Sequence, residues 1–171
     1  MKQLRRETAK ITARAKYRGH PVQRNLIVLL LIAICFFITA CATRGSCVRG
    51  NCRNGLGTMA YPEGGGYEGE WKDGKRHGQG TLSSPFAGQY EGHWKNDKPD
   101  GQGTWVFPDG ARYEGQWLDG EWSGQGKMTF PNGTRYIGEW KNDVPHGQGK
   151  VIYPDGRELI GEFQNGKFVG Q

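Results

Sequence analysis

Four residues able to do acid–base or nucleophilic chemistry occupy one column of this sequence at a spacing of 23: His77, Asp100, Ser123 and His146. A search for a Ser–His–Asp triad collects them at once. A triad, however, needs contacts of about 3 Å. Side-by-side units of two strands each would hold these residues about 9.6 Å apart in a row. They read as variable polar residues at turn ends. Glu68, Glu70, Glu91, Glu114 and Glu139 invite a glycosidase reading, in which paired carboxylates lie about 5–10 Å apart. These too recur with the spacing, and alternation puts them on one solvated strand face. The Gly-x-Gly pairs lack the third glycine and the strand–helix setting of a dinucleotide fingerprint. No catalytic residue, metal ligand or cofactor is expected.

The elements that must position these residues follow from the repeat. Tyr67-Glu-Gly-Glu-Trp71, Tyr90-Glu-Gly-His-Trp94, Tyr113-Glu-Gly-Gln-Trp117 and Tyr136-Ile-Gly-Glu-Trp140 recur at a spacing of 23, and Leu159-Ile-Gly-Glu-Phe163 is a fifth copy. Gly78/Gly80, Gly101/Gly103, Gly124/Gly126 and Gly147/Gly149 keep the same phase, as do the prolines at 62, 85, 108, 131 and 154. In a strand, Tyr67, Gly69 and Trp71 share one face and the two glutamates the other. The second strand, near 77–83, sets Gly78, Gly80 and Leu82 against Gln79 and Thr81. The rings are expected to lie over glycines of neighbouring strands, where only a missing side chain allows close approach.

A turn slot between the two strands holds Asn51, Gly74, Asp97, Gly120, Asp143 and Gly166. All are types that tolerate positive φ. Pro62-Glu-Gly, Pro108-Asp-Gly, Pro131-Asn-Gly and Pro154-Asp-Gly are reverse turns to the next unit, and Pro85-Phe-Ala-Gly is a degenerate copy. The expected fold is all-β: a single-layer antiparallel meander of β-hairpins, about 50 Å long for five units. Its stability is mostly nearest-neighbour. The second and fourth units share Trp-Lys-Asn-Asp-x-Pro-x-Gly-Gln-Gly, which points to a doubled ancestral unit.

Tyr-x-Gly-x-Trp, a turn, then Gly-x-Gly at period 23 resembles the MORN repeat (membrane occupation and recognition nexus). The resemblance covers residues 67–171 well and 44–66 in degenerate form. It departs at Asp97 and Asp143 in the turn slot and at Leu159 and Phe163 in the last copy. It implies interaction or scaffolding units, with lipid binding a weaker implication and any enzymatic activity lodged in an additional domain. The expectation here is no such domain.

Cys47 and Cys52 align with Glu70 and Lys75, flanking the first turn. They are expected to form a disulfide that staples the degenerate cap; two free thiols are the alternative. Ahead of them, residues 1–40 carry eight Lys/Arg against one Glu, and the remaining chain carries 15 Lys/Arg against 16 Asp/Glu. The overall charge of +6 therefore belongs to the N-terminal segment, which removes the support for a nucleic-acid partner. The uncharged run LIVLLLIAICFFI from Leu26, with its basic lead, has the layout of an export signal helix. Ile38-Thr39-Ala40-Cys41 resembles a bacterial lipobox, which implies cleavage before Cys41 and lipidation of its thiol. An uncleaved signal anchor is the alternative. Both place the C-terminal part outside the cytoplasm, and Ala42 favours an outer membrane in a Gram-negative cell. A start at Val22 or Leu26 would give a lead of ordinary length.

The expected organisation is therefore lead and signal peptide at 1–40, tether at 41–46, capping hairpin at 47–66 and repeats at 67–89, 90–112, 113–135, 136–158 and 159–171. Two surfaces are candidates for a partner. The aromatic face of Tyr67, Trp71, Tyr90, Trp94, Trp105, Tyr113, Trp117, Tyr136 and Trp140 is either the core of the array or a groove that also takes a protein segment. Lys72, Lys75, Arg76, Lys95, Lys98 and Lys141 cluster near the turns and could meet anionic lipid, although Asp73, Asp97, Asp100 and Asp143 stand nearby. The C-terminal edge offers self-association through strand pairing. The functional expectation is a membrane-anchored, non-enzymatic interaction module of the bacterial cell envelope, with direct binding of phospholipid or envelope glycan as the alternative.

Overall fold

The computed structural model describes residues 45–170. They form one antiparallel sheet of twelve strands: β1 (Ser46–Gly50), β2 (Gly55–Ala60), β3 (Gly66–Lys72), β4 (Lys75–Ser84), β5 (Gly88–Lys95), β6 (Lys98–Val106), β7 (Arg112–Leu118), β8 (Glu121–Thr129), β9 (Arg135–Lys141), β10 (Val144–Ile152), β11 (Glu158–Gln164) and β12 (Lys167–Gly170). Spatial order equals chain order from β1 to β12, so the meander of hairpins is the observed fold. The signal segment, its helix and Cys41 lie outside the described residues.

The five hairpins after the first close through a two-residue turn with positive φ at both positions: Asp73-Gly74, Asn96-Asp97, Asp119-Gly120, Asn142-Asp143 and Asn165-Gly166. This is the turn whose twist matches that of the strands. Asn51 departs from the expected slot. Gly50 takes the positive φ, while Asn51 Oδ1 accepts from the Arg53 and Asn54 N–H groups, each at 3.0 Å. The longer 51–54 connection also moves Cys52 off the opposing strand and into the loop. Its disulfide to Cys47 spans 5.9 Å between Cα atoms.

The reverse turns between units follow Pro-Asp-Gly chemistry: at the third, Gly110 N–H donates to Phe107 O at 3.0 Å and Ala111 N–H to Asp109 Oδ1 at 2.9 Å. In the degenerate copy Ser84 Oγ does this work, accepting from the Phe86 and Ala87 N–H groups. Positive φ moves to Gly88, and Phe86 is left 77% exposed.

The core is built from rings. Trp71, Tyr67, Trp94, Tyr90, Trp117, Tyr113, Trp140, Tyr136 and Phe163 form an unbroken chain of edge-to-face contacts, with centroids 4.9–5.4 Å apart. This geometry suits the ring quadrupole. Each tyrosine joins its own tryptophan to the aromatic of the next unit. Trp71, Trp94 and Trp117 each donate Nε1–H to a glycine carbonyl fourteen residues upstream: Gly57 at 3.0 Å, Gly80 at 3.1 Å and Gly103 at 3.3 Å. Tyr67, Tyr90, Tyr113 and Tyr136 donate to the carbonyl three residues on, at 2.9–3.1 Å.

The two glycines of Gly-x-Gly have different jobs, where the sequence pattern placed both beneath rings. The second lies under a tyrosine: a Cβ at Gly126 would sit 2.8 Å from Tyr113 ring carbons. The first marks a register shift of the second strand against the first. Gly78, Gly124 and Gly147 have φ near +60° there, and a Cβ would strike the side chain of Glu70, Gln116 or Glu139. Those side chains accept the N–H that the shift frees, from Gln79 at 2.8 Å, Gln125 at 2.8 Å and Gln148 at 3.1 Å.

Candidate functional site

The nine rings set out as a partner groove are 0–6% exposed. Their faces and edges are occupied by one another and by the column Leu82, Trp105, Met128 and Val151, all 6% exposed or less. An open aromatic groove is therefore replaced by a closed aromatic core. Burial pushes the phenols of Tyr67, Tyr90, Tyr113 and Tyr136 well above their ordinary value, so they remain hydrogen-bond donors. Sequence reasoning passed over Trp122, which stacks on Tyr113 at 4.6 Å and 10° and meets Trp140 edge-on at 5.1 Å. Its column was visible at period 23. Arg76 sits 4.2 Å above the Trp94 ring, Pro145 is fully buried and Phe168 packs on Phe163 at 5.4 Å. In this column a guanidinium and two rings lie on neighbouring rings.

The acid–base candidates do not converge. Asp100 Oδ2 accepts from Asp119 N–H at 3.2 Å, and the Nδ1 atoms of His77 and His146 are buried without hydrogen-bond partners. Glu70 and Glu139 hold strand backbone, as above. Glu114 is clamped by Arg112 at 2.9 Å and Lys127 at 3.0 Å, whose hydrogen bonds hold its carboxyl below the ordinary value. Among the described residues no three His, Cys, Asp or Glu side chains are placed to hold a metal.

The other side of the sheet is more open. An open trough of ≈ 1420 Å³ runs across β4–β9. Gln79, Gln102 and Gln125 line it together with Glu91, Val106 and Ile137. The glutamines stand at one position of successive units, legible in the sequence as Gly-Gln-Gly. Paired glycines Gly92/Gly103 and Gly115/Gly126 form part of its floor. Val106 and Ile137, 36% and 40% exposed, place apolar spots on a face the alternation pattern assigned to polar residues.

At the sheet margin the turns of successive units are laddered. Gly74, Asp97, Gly120, Asp143 and Gly166 N–H groups donate to Arg53, Arg76, Pro99, Trp122 and Pro145 carbonyls at 2.8–3.3 Å. The Asp97 carboxylate also accepts from Arg76 N–H at 2.9 Å and Nε at 3.2 Å, and that of Asp143 from Trp122 N–H at 2.8 Å. Desolvation raises the Asp143 carboxyl to about 6. Asp97 therefore neutralises Arg76 of the candidate cationic cluster, while Asp143 is engaged with backbone.

Comparison with known proteins agrees with this architecture. The family profile described as MORN repeat matches residues 67–85, 90–112, 113–135, 136–156 and 160–171, more than half of the chain. Among solved structures, the chain is similar to one titled "SAS-4 (dCPAP) TCP domain in complex with a Proline Rich Motif of Ana2 (dSTIL) of Drosophila Melanogaster". Identity is 16%, coverage is 71% of this chain and 80% of that one, and the TM-score is 0.35. No curated protein matches.

Proposed function

The chain belongs to the MORN-repeat family, and from that premise we propose a non-enzymatic interaction module held at the bacterial cell envelope through a lipid on Cys41. Repeats of this family are protein- or membrane-interaction modules. The observation that carries the reading is the division of labour between the two faces. The repeated tyrosines and tryptophans are spent on the ring ladder of the core, while the opposite face keeps a wide trough of periodic amides with apolar spots at Val106 and Ile137. A surface of this kind suits recognition of an elongated partner more than turnover of a small substrate. The Ile38-Thr39-Ala40-Cys41 motif supports the anchor and, with Ala42, the outer membrane of a Gram-negative cell.

Two measurements test this. Metabolic labelling with a palmitate analogue should mark the wild-type chain and spare Cys41→Ser, which should also leave the membrane pellet. A photo-crosslinking residue at Gln102 in living cells should give a discrete protein adduct that one at Glu63, on an exposed turn outside the trough, does not. Label on Cys41→Ser equal to wild type removes the anchor. Identical adducts from both probes, or none, remove the trough.

A further inference from the structure

The outward side of the hairpin turns carries a charge arrangement that packing of the sheet does not require. Lys72 opposes Lys75 across one turn, and Lys95 opposes Lys98 across the next. Directly opposed residues have Cβ atoms about 4.5–5.5 Å apart, and like charges there destabilise the pair. Because β3, β4, β5 and β6 are successive neighbours, the four lysines stand in a row along two adjacent turns at one margin of the sheet. Asp97 is engaged with Arg76 and Asp100 accepts from Asp119 N–H, which leaves Asp73, in the turn between Lys72 and Lys75, as a single acid facing the four lysines. Among the described residues only Lys98 of the four has an ion pair, to Asp119 at 3.7 Å, with both groups well exposed. Such a pair is weak and easily displaced. At the next turn the row changes character, with Leu118, 59% exposed, opposite Glu121.

We propose that this row docks an acidic segment of a partner protein, its carboxylates along Lys72, Lys75, Lys95 and Lys98 and an apolar side chain on Leu118. The proposal rests on the interaction-module reading and names the chemistry of the partner. The charge is confined to two neighbouring turns, which selects a short segment over a flat anionic surface. Such a surface would also meet Asp119 and Glu121 beside Leu118. Complementarity of this kind sets encounter rate and specificity, and it weakens with salt.

The test uses the purified full chain in detergent and a fluorescein-labelled oligoglutamate peptide ending in leucine, followed by anisotropy. Binding is expected at low salt and should fall about tenfold on raising salt to physiological strength. Lys95→Glu with Lys98→Glu should weaken it by a further factor of about ten or more, while Lys141→Glu, outside the row, should stay within about twofold. Circular dichroism of these surface variants should match wild type. No binding of the peptide by wild type at low salt overturns the proposal, as does an equal loss in Lys141→Glu. Row-dependent sedimentation with phosphatidylserine vesicles, without peptide binding, overturns it in favour of a membrane. If the peptide fails while the Gln102 adduct persists, the module still binds a protein and only the row is wrong. Failure of both removes the interaction reading itself.

Discussion

At the scale of the residue, the protonation of Asp143 is tied to folding in the acid range. Burial lifts its carboxyl from 3.8 to about 6, against the pull of the Trp122 N–H bond. Between those values the folded chain holds a proton that the unfolded chain has released. The stability this group contributes is complete below pH 3.8 and is lost as pH rises through about 6. Asp143→Asn keeps an oxygen for the Trp122 N–H and a residue type at home in the left-handed turn, yet carries no charge. It should flatten the dependence of stability on pH between about 4 and 6, a swing on the order of 2 kcal/mol, and be no less stable than wild type at neutral pH. Urea unfolding across that range checks this; parallel curves would refute it. Gly126→Ala tests the opposite kind of constraint. Its new methyl must displace the Tyr113 ring, which should cost about 1–3 kcal/mol by the usual scale of overpacking, read as a lowered urea midpoint.

At the scale of the element, the alternation of Asp and Gly in the turn slot has a cause that could not be read along the chain. Asp97 and Asp143 face Arg76 and Trp122, which present an N–H to their carboxylates. Gly120 and Gly166 face Pro99 and Pro145, which have no N–H, and only the carbonyls are used. Departures from the repeat pattern in one column are thus answers to residues 21 positions upstream. Asp97→Gly should lose about 1–2 kcal/mol, because a part-buried N–H loses its acceptor, whereas Gly120→Asp should gain nothing; thermal melts of both variants decide it. The same element shows what was legible. Period and alternation placed the strands, the turns, the ring face and the Tyr–Gly contact, because each depends on spacing alone. The shift of register at Gly78, the loop position of Cys52 and the bond from Asp97 to Arg76 were not legible. Each depends on which side chain takes up a freed N–H: Glu70 that of Gln79, Asn51 those of Arg53 and Asn54, Asp97 that of Arg76. The aromatic face stayed undecided between core and groove for a related reason: aromatic residues mark both equally, and only burial, here 0–6% exposure, separates them.

At the scale of the whole molecule, the array repeats in pairs of units. Excising residues 90–135 removes two units and brings Asp143 against Arg76, an acceptor against a donor. Excising residues 90–112 removes one and brings Gly120 against Arg76, leaving its N–H without the carboxylate. The shorter chain should therefore melt no lower than the longer one, although it has fewer rungs; the reverse order would show that length, not pairing, governs. The cap has a consequence of another kind, in mechanics. Tension entering ahead of β1 reaches Cys47 and crosses the sulfur bridge to Cys52, so residues 48–51 carry none of it. The pull falls on β2 and peels it from β3 rung by rung, like a zipper, until it meets the Trp71 bond to Gly57. Trp94 and Trp117 repeat that obstacle at the next two units, and Trp140, whose Nε1 has no such partner, does not. A tether on this side meets three evenly spaced latches, and stretching a single molecule should trace them as three nearly equal teeth followed by lower ones.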